Sequence, residues 1–106
     1  SKAAIREHLV YGATKAAVDQ ITRISALELG QHQIRVNAVN PTVVWTDLGK
    51  MVWSDPAKSQ PLIDRIPLHR FNEVKDVVNT IVYLLSDKAD MITGACIPVD
   101  GGYTAC

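Results

Sequence analysis

The chain has 106 residues, 47% apolar and 21% charged, with 11 basic and 11 acidic side chains scattered singly to a formal net charge of zero. That length permits one domain at most, the even charge offers no handle to nucleic acid or an anionic membrane, and no apolar run approaches a membrane span. Two cysteines, Cys96 and Cys106, are too few to staple a secreted fold and point to a reducing, cytoplasmic setting.

The chain opens Ser1-Lys2-Ala3-Ala4-Ile5 with neither Met nor an apolar leader, and reads as a piece entered in mid-fold. Residues 1–10 are short and mixed, consistent with a loop. Over 13–29, Ala13, Ala16, Ala17, Ile21, Ile24 and Leu27 recur at helical spacing, and Gly30 supplies a left-handed stop. The alternation in 34–39 predicts a short strand, closed by Asn40-Pro41. Residues 41–60 have little period and read as a loop carrying Trp45 and Trp53, with a short helix from about 55 to 65 ended by Pro67. Asn72 is placed to cap a helix through Leu85 whose stripe of Val74, Val77, Val78, Ile81, Val82 and Leu85 reads as core. Residues 91–94 connect to a strand over 95–99, which Pro98 demotes to an edge or terminal position, and Asp100-Gly101-Gly102 forms a turn.

This alternation implies an α/β fold with a parallel sheet and helices on its faces. Two strands alone leave both edges unpaired, so the first strand needs neighbours that these residues do not include, and a stable independent domain is not expected.

The chemistry is concentrated in Tyr11-Gly12-Ala13-Thr14-Lys15. On a helix, residues four apart share a face, and an ammonium beside a phenol favours the phenolate and makes the group a better proton donor. Alone the spacing is common. It gains specificity from company: Ala26-Leu27-Glu28-Leu29-Gly30, Ile34-Arg35-Val36-Asn37-Ala38-Val39-Asn40-Pro41, Val44-x-Thr46, Leu84-Leu85-Ser86-Asp87, Thr93-Gly94 and Val99-Asp100-Gly101-Gly102. In that order and spacing the motifs resemble the C-terminal half of a short-chain dehydrogenase/reductase, over essentially the whole chain. Thr42 in Asn40-Pro41-Thr42-Val43-Val44, where most of the family has glycine, the run Trp53-Ser54-Asp55-Pro56 and the terminal Cys106 resemble in particular the family's carbonyl reductases acting on ketose sugars and α-dicarbonyls.

The resemblance implies a doubly wound Rossmann-type sheet, here its last two strands, with a nicotinamide cofactor, NADP(H), across the carboxyl edge. It implies that Tyr11 gives a proton to a carbonyl oxygen as hydride arrives, and that Lys15 holds the nicotinamide ribose. Pro41, Val44 and Thr46 match cofactor positions, Val44 through its backbone and Thr46 through its hydroxyl, opposite an amide that needs both a donor and an acceptor; Thr46 would equally serve as a helix cap. His8 and Trp53 are substrate-side candidates, an imidazole for sugar hydroxyls and an indole for an apolar face, or else a surface histidine and a packing tryptophan. The family's catalytic serine and Gly-rich phosphate turn would fall upstream of Ser1. A homotetramer is implied for the full-length protein.

Other constellations fail. His8, His32 and His69 lack zinc-site spacing to Cys or carboxylates, no serine sits in a nucleophile elbow, and Cys106 reads as an idle tail thiol. Two readings remain. One is an NADP-dependent carbonyl or ketose reductase, inactive as this piece alone. The other is a non-catalytic truncated product acting as an oligomer-assembly module through the small-residue face of its first helix.

Overall fold

A computed structural model describes residues 8–105 of the chain; Cys106 and the segment 1–7 lie outside the described residues. Helix α1 runs Leu9–Leu29, starting earlier than the apolar pattern indicates. Residues 8–10, read as loop, are in fact its cap and opening turn, closed by a hydrogen bond from the Gly12 N–H to the His8 carbonyl at 2.7 Å. Gly30 is not the left-handed stop: its φ of −57° carries the chain into a 3-10 turn, Gly30–His32, and the left-handed residue is Gln33 at φ 60°. The tightened turn satisfies terminal groups through Gln33 N–H to Gly30 and Ile34 N–H to Leu29.

The strand forms later than the alternation suggests. β1 is Ala38–Pro41, so Pro41 ends the strand from within. It pairs in parallel with β2, Cys96–Val99, from Ala38↔Cys96 to Pro41↔Val99. Residues 34–37 do not extend the ladder because the segment opposite them is irregular and bends at Gly94, at φ +72°, instead of running extended. Side chains secure this stretch instead: the Asn37 amide donates to Ile92 (2.8 Å) and accepts from the Ala95 N–H (3.0 Å), while Thr93 Oγ1 accepts from the Val36 N–H (3.0 Å). Arg35 donates to the carbonyls of Ile92 and Ser86.

Within 41–60, read largely as loop, lies a helix too short to show a period: α2, Asp47–Trp53, capped by Thr46. α3, Pro56–Asp64, matches the helix expected over 55–65, with Asp55 capping the Ala57 N–H at 3.0 Å and Pro56 in the first turn. α4 is Val74–Leu85, and its cap is Glu73 in a reciprocal capping box with Asp76 rather than Asn72.

The apolar stripe of α4 is largely not its buried face. Leu84 is buried, whereas Val74, Val78, Ile81, Val82 and Leu85 are exposed. α1 shows the same inversion: Asp19, Thr22 and Ala26 are buried and Ile21, Ile24 and Leu27 face out. The reason is width. Two strands about 5 Å apart are narrower than one helix with its side chains, about 10–12 Å across, so neither helix has its apolar arc covered.

The best-buried apolar side chain is Ile66, 0% exposed, in the link between α3 and α4. The turn after β2 packs onto it: a Cβ on Gly101, at φ +60°, would lie 2.7 Å from Ile66 Cγ2, and the Leu68 N–H donates to the Gly101 carbonyl. No helix among the described residues is long and apolar enough to cross a membrane.

Candidate active site

The register of α1 on the sheet sets where Tyr11 and Lys15 project. A Cβ on Gly94, just before β2, would sit 3.4 Å from the Ala26 Cβ. Asn40, next to last in β1, donates from Nδ2 to Asp19 Oδ1 at 3.2 Å. The helix therefore runs against the strand direction, and its earlier residues pass the carboxyl ends of the strands. With a rise of 1.5 Å per residue, Lys15 extends about 6 Å and Tyr11 about 12 Å beyond Asp19. At about 100° per residue, Tyr11, Lys15, Asp19, Thr22 and Ala26 fall within an arc of about 80°. The sheet-facing stripe thus continues past the sheet into the tyrosine and the lysine.

At that overhang Lys15 Nζ lies 5.4 Å from the centroid of the Tyr11 ring, within cation–π range. His8 meets the same ring edge-on, with centroids 5.9 Å apart. Thr14 Oγ1 bonds back to the Tyr11 carbonyl at 2.8 Å. Tyr11 remains 58% exposed.

Pro41, Val44 and Thr46 form a second cluster directly beyond β1. Val44 makes an isolated parallel bridge with Asn72: the Asn72 N–H donates to Val43 (3.0 Å) and the Trp45 N–H to Asn72 (2.8 Å). In a parallel bridge of this form the central residue's own N–H and C=O face away from the partner, and the Val44 carbonyl receives the Thr46 N–H at 2.7 Å. Thr46 Oγ1 accepts from the Gly49 N–H at 3.1 Å, as a cap does, which leaves its own proton to give. Gly49 is required here, since a Cβ would come within 2.1 Å of the Val44 carbonyl oxygen.

Trp53, a substrate-side candidate, is half-buried and packs edge-on against Phe71 at 6.1 Å; Trp45 also meets Phe71, tilted, at 5.8 Å. The structure thus groups His8, Tyr11 and Lys15, and separately Pro41, Val44 and Thr46, with Trp53 beside the second group. Sequence reasoning passed over Asn72 and Asp19. An asparagine just ahead of a helix reads as a cap, and an aspartate on a helix reads as solvated; the only available signal was a carboxylate on the same helical stripe as the tyrosine.

Two acids carry the electrostatics near these clusters. Asp19 is 7% exposed, and burial together with its carboxylate pushes the Cys96 thiol up. Burial also pushes Asp100 upward, but hydrogen bonds from the Thr104 hydroxyl (2.6 Å) and the N–H groups of Gly102 (2.9 Å) and Thr104 (3.1 Å) outweigh it and hold its carboxyl below the usual range. Among the described residues no group of His, Cys, Asp and Glu is arranged to hold a metal ion.

A family model described as Enoyl-(Acyl carrier protein) reductase matches residues 1–104. D-Erythrulose reductase of Gallus gallus is 57% identical over 103 residues, covering 97% of this chain and 42% of the relative. L-Xylulose reductase of Homo sapiens is 55% identical over 106 residues, covering 100% of the chain and 43% of the relative. The solved structure of a short-chain type dehydrogenase/reductase from Mycobacterium ulcerans superposes with a TM-score of 0.93 at 38% identity, over 98% of this chain and 38% of that one. The chain belongs to the short-chain dehydrogenase/reductase family, whose members use nicotinamide cofactors. It spans under half the length of these relatives.

The donor set fits such a cofactor in part. A carboxamide needs a donor and an acceptor, and the outward-turned peptide of Val44 with the free proton of Thr46 supplies both kinds of group. Lys15 adds a cation on the same edge of the sheet.

Proposed function

We propose that the protein carrying this chain reduces a ketose of the L-xylulose kind, or an α-dicarbonyl, to the alcohol with NADP(H), and that Tyr11 is its proton donor. The observation that carries this reading is the overhang of α1, with Lys15 Nζ 5.4 Å from the Tyr11 ring at the carboxyl edge of the sheet. Two ketose reductases among the relatives, by their names, support the substrate class. The choice of NADP(H) rests on the resemblance of Thr42, the Trp53–Pro56 run and the family motifs to carbonyl reductases.

The cofactor, when bound, supplies the hydride. Tyr11 gives its phenolic proton to the carbonyl oxygen as charge develops there, and the ammonium of Lys15 stabilises the phenolate left behind. Lys15 also orients the cofactor through its ribose, while Val44 and Thr46 hold the carboxamide. Pro41 keeps the backbone at the strand end in a fixed direction. His8, edge-on to Tyr11, hydrogen-bonds substrate hydroxyls, and Trp53 closes an apolar side of the pocket. The setting is cytoplasmic and the assembly a homotetramer.

The test is NADPH oxidation by the complete protein with L-xylulose, D-erythrulose and a simple α-dicarbonyl. Turnover of at least one is expected; none with all three overturns the reading. The 106 residues alone carry no Gly-rich phosphate turn, and their titration with NADPH is expected to give no saturable binding.

A second reading is favoured by one observation, the outward-facing Ile21, Ile24 and Leu27 of α1 and Val78, Ile81 and Val82 of α4. As an assembly module, the chain would bury these faces against further copies. Light scattering on the 106-residue chain distinguishes it: a monomer at high concentration removes this reading.

A further inference from the structure

We propose that Asn72 is the positioning residue of the cofactor-facing loop, its side chain tying the residue after β1 to the end of β2 so that the Val44 peptide is held in one orientation. The inference rests on the cofactor reading above and names what enforces it. Asn72 is 8% exposed. Its backbone bonds to Val43 and Trp45 are ones that other residues could make. The side chain adds what they could not: Nδ2 donates to the Val99 carbonyl at 2.6 Å and to Thr42 Oγ1 at 3.2 Å.

Those acceptors belong to different segments. Val99 ends β2, and Thr42 follows Pro41 with its own N–H on the Val99 carbonyl at 3.2 Å. One carboxamide therefore links three pieces of chain around Val44, and both its N–H bonds are used. Loss of the side chain takes a donor from two part-buried oxygens and leaves the loop to the main-chain bridge, the Thr42 N–H bond on Val99 and the Gly49 N–H bond on Thr46. Thr42 gains a purpose by the same geometry: its hydroxyl is the loop-side acceptor, which a glycine would lack.

The experiment compares Asn72→Ala, Asn72→Asp and Thr42→Val in the complete protein, read in two ways. Without cofactor, amide hydrogen exchange at Trp45 and Thr46 is expected to quicken about tenfold in Asn72→Ala, with α1 and α4 amides unchanged. Asn72→Asp should exceed that, because a carboxylate has no proton for the Val99 carbonyl. Thr42→Val, the mildest change to the fold, should give a smaller local rise and add little in the Asn72→Ala background, as coupled groups do. With cofactor, the KM for NADPH should rise about tenfold while kcat stays within about twofold. Unchanged exchange at Trp45 and Thr46, or an equal rise at every amide, overturns the proposal. If the unaltered protein oxidises no NADPH, the reductase reading fails, and the exchange measurement still decides whether Asn72 holds the loop.

Discussion

The N-terminal helix and the C-terminal lattice carry the two halves of the candidate site in opposite ways. α1 presents Tyr11 and Lys15 on a mostly exposed rod whose sheet-side anchors include the Asp19–Asn40 bond and the close approach of Ala26 to Gly94. The loop from Thr42 to Thr46 is instead fixed at successive residues by Asn72, Val99 and Gly49. Tyr11, the proposed acid, therefore sits where the sheet gives little support, and the Val44 peptide, proposed to face the cofactor, sits where hydrogen bonds determine its direction. Exposed apolar arcs on α1 and α4 show where support is owed: a parallel sheet covers both faces of its strands only when it is wider than the helices on it.

The largest effect expected on either side of this contrast is chemical. Tyr11→Phe in the complete protein should lower carbonyl reduction by about 10²–10⁴-fold, the usual worth of a positioned acid, with the circular dichroism unchanged. Retained turnover would sink the assignment. On the lattice side, Gly49→Ala drives a methyl to within 2.1 Å of the Val44 oxygen, and the loop must move. A stability loss of roughly 1–3 kcal/mol is expected from such overpacking, measurable by urea unfolding together with weakened NADPH binding. Asp19→Ala removes the acceptor of the Asn40 amide from the α1 anchor, at a cost of about 1–3 kcal/mol. If α1 is the weakly held side, hydrogen exchange should quicken in that helix and not at Trp45 or Thr46.

The smallest effect is on acid stability. The Arg70 guanidinium, 2.7 Å from Asp76, and the Glu73 N–H hold the Asp76 carboxyl down at about 2; Asp100 is also held low, by its turn. For a carboxylate whose folded value lies below its unfolded one, stabilisation is complete above the unfolded value, about 4. It is lost as pH falls from there through the folded value. Unfolding midpoints should therefore fall between about pH 4 and pH 2. Asp76→Asn should flatten part of that slope, and an unchanged profile would deny the Arg70–Asp76 pair any role.

Local signals made much of this legible. A helix from about 55 to 65 was legible ahead of Pro67, the apolar period announced α1 and α4, and the Tyr11–Lys15 spacing with Val44 and Thr46 marked a candidate site. Misreadings occurred where two local signals competed. Asn72 and Glu73 are adjacent and both cap helices, and only Glu73 has Asp76 in reach to reciprocate. Gly30 is an obvious stop, yet a 3-10 turn satisfied the terminal groups before a left-handed residue was needed.

By itself the sequence determined the helical periods of α1 and α4 and the presence of α3, and it singled out candidate site residues, because such signals rest on neighbours within about four residues. Only the tertiary structure decided the register of α1 on β1, the burial of the Asp19–Thr22–Ala26 stripe and the conversion of Asn72 from a cap to a crosslink. The Asn40–Asp19 bond spans 21 residues of sequence, and the Asn72 side-chain bonds span 27 and 30. Bonds of that reach depend on which distant group fills the space beside each side chain, and local spacing holds no record of it.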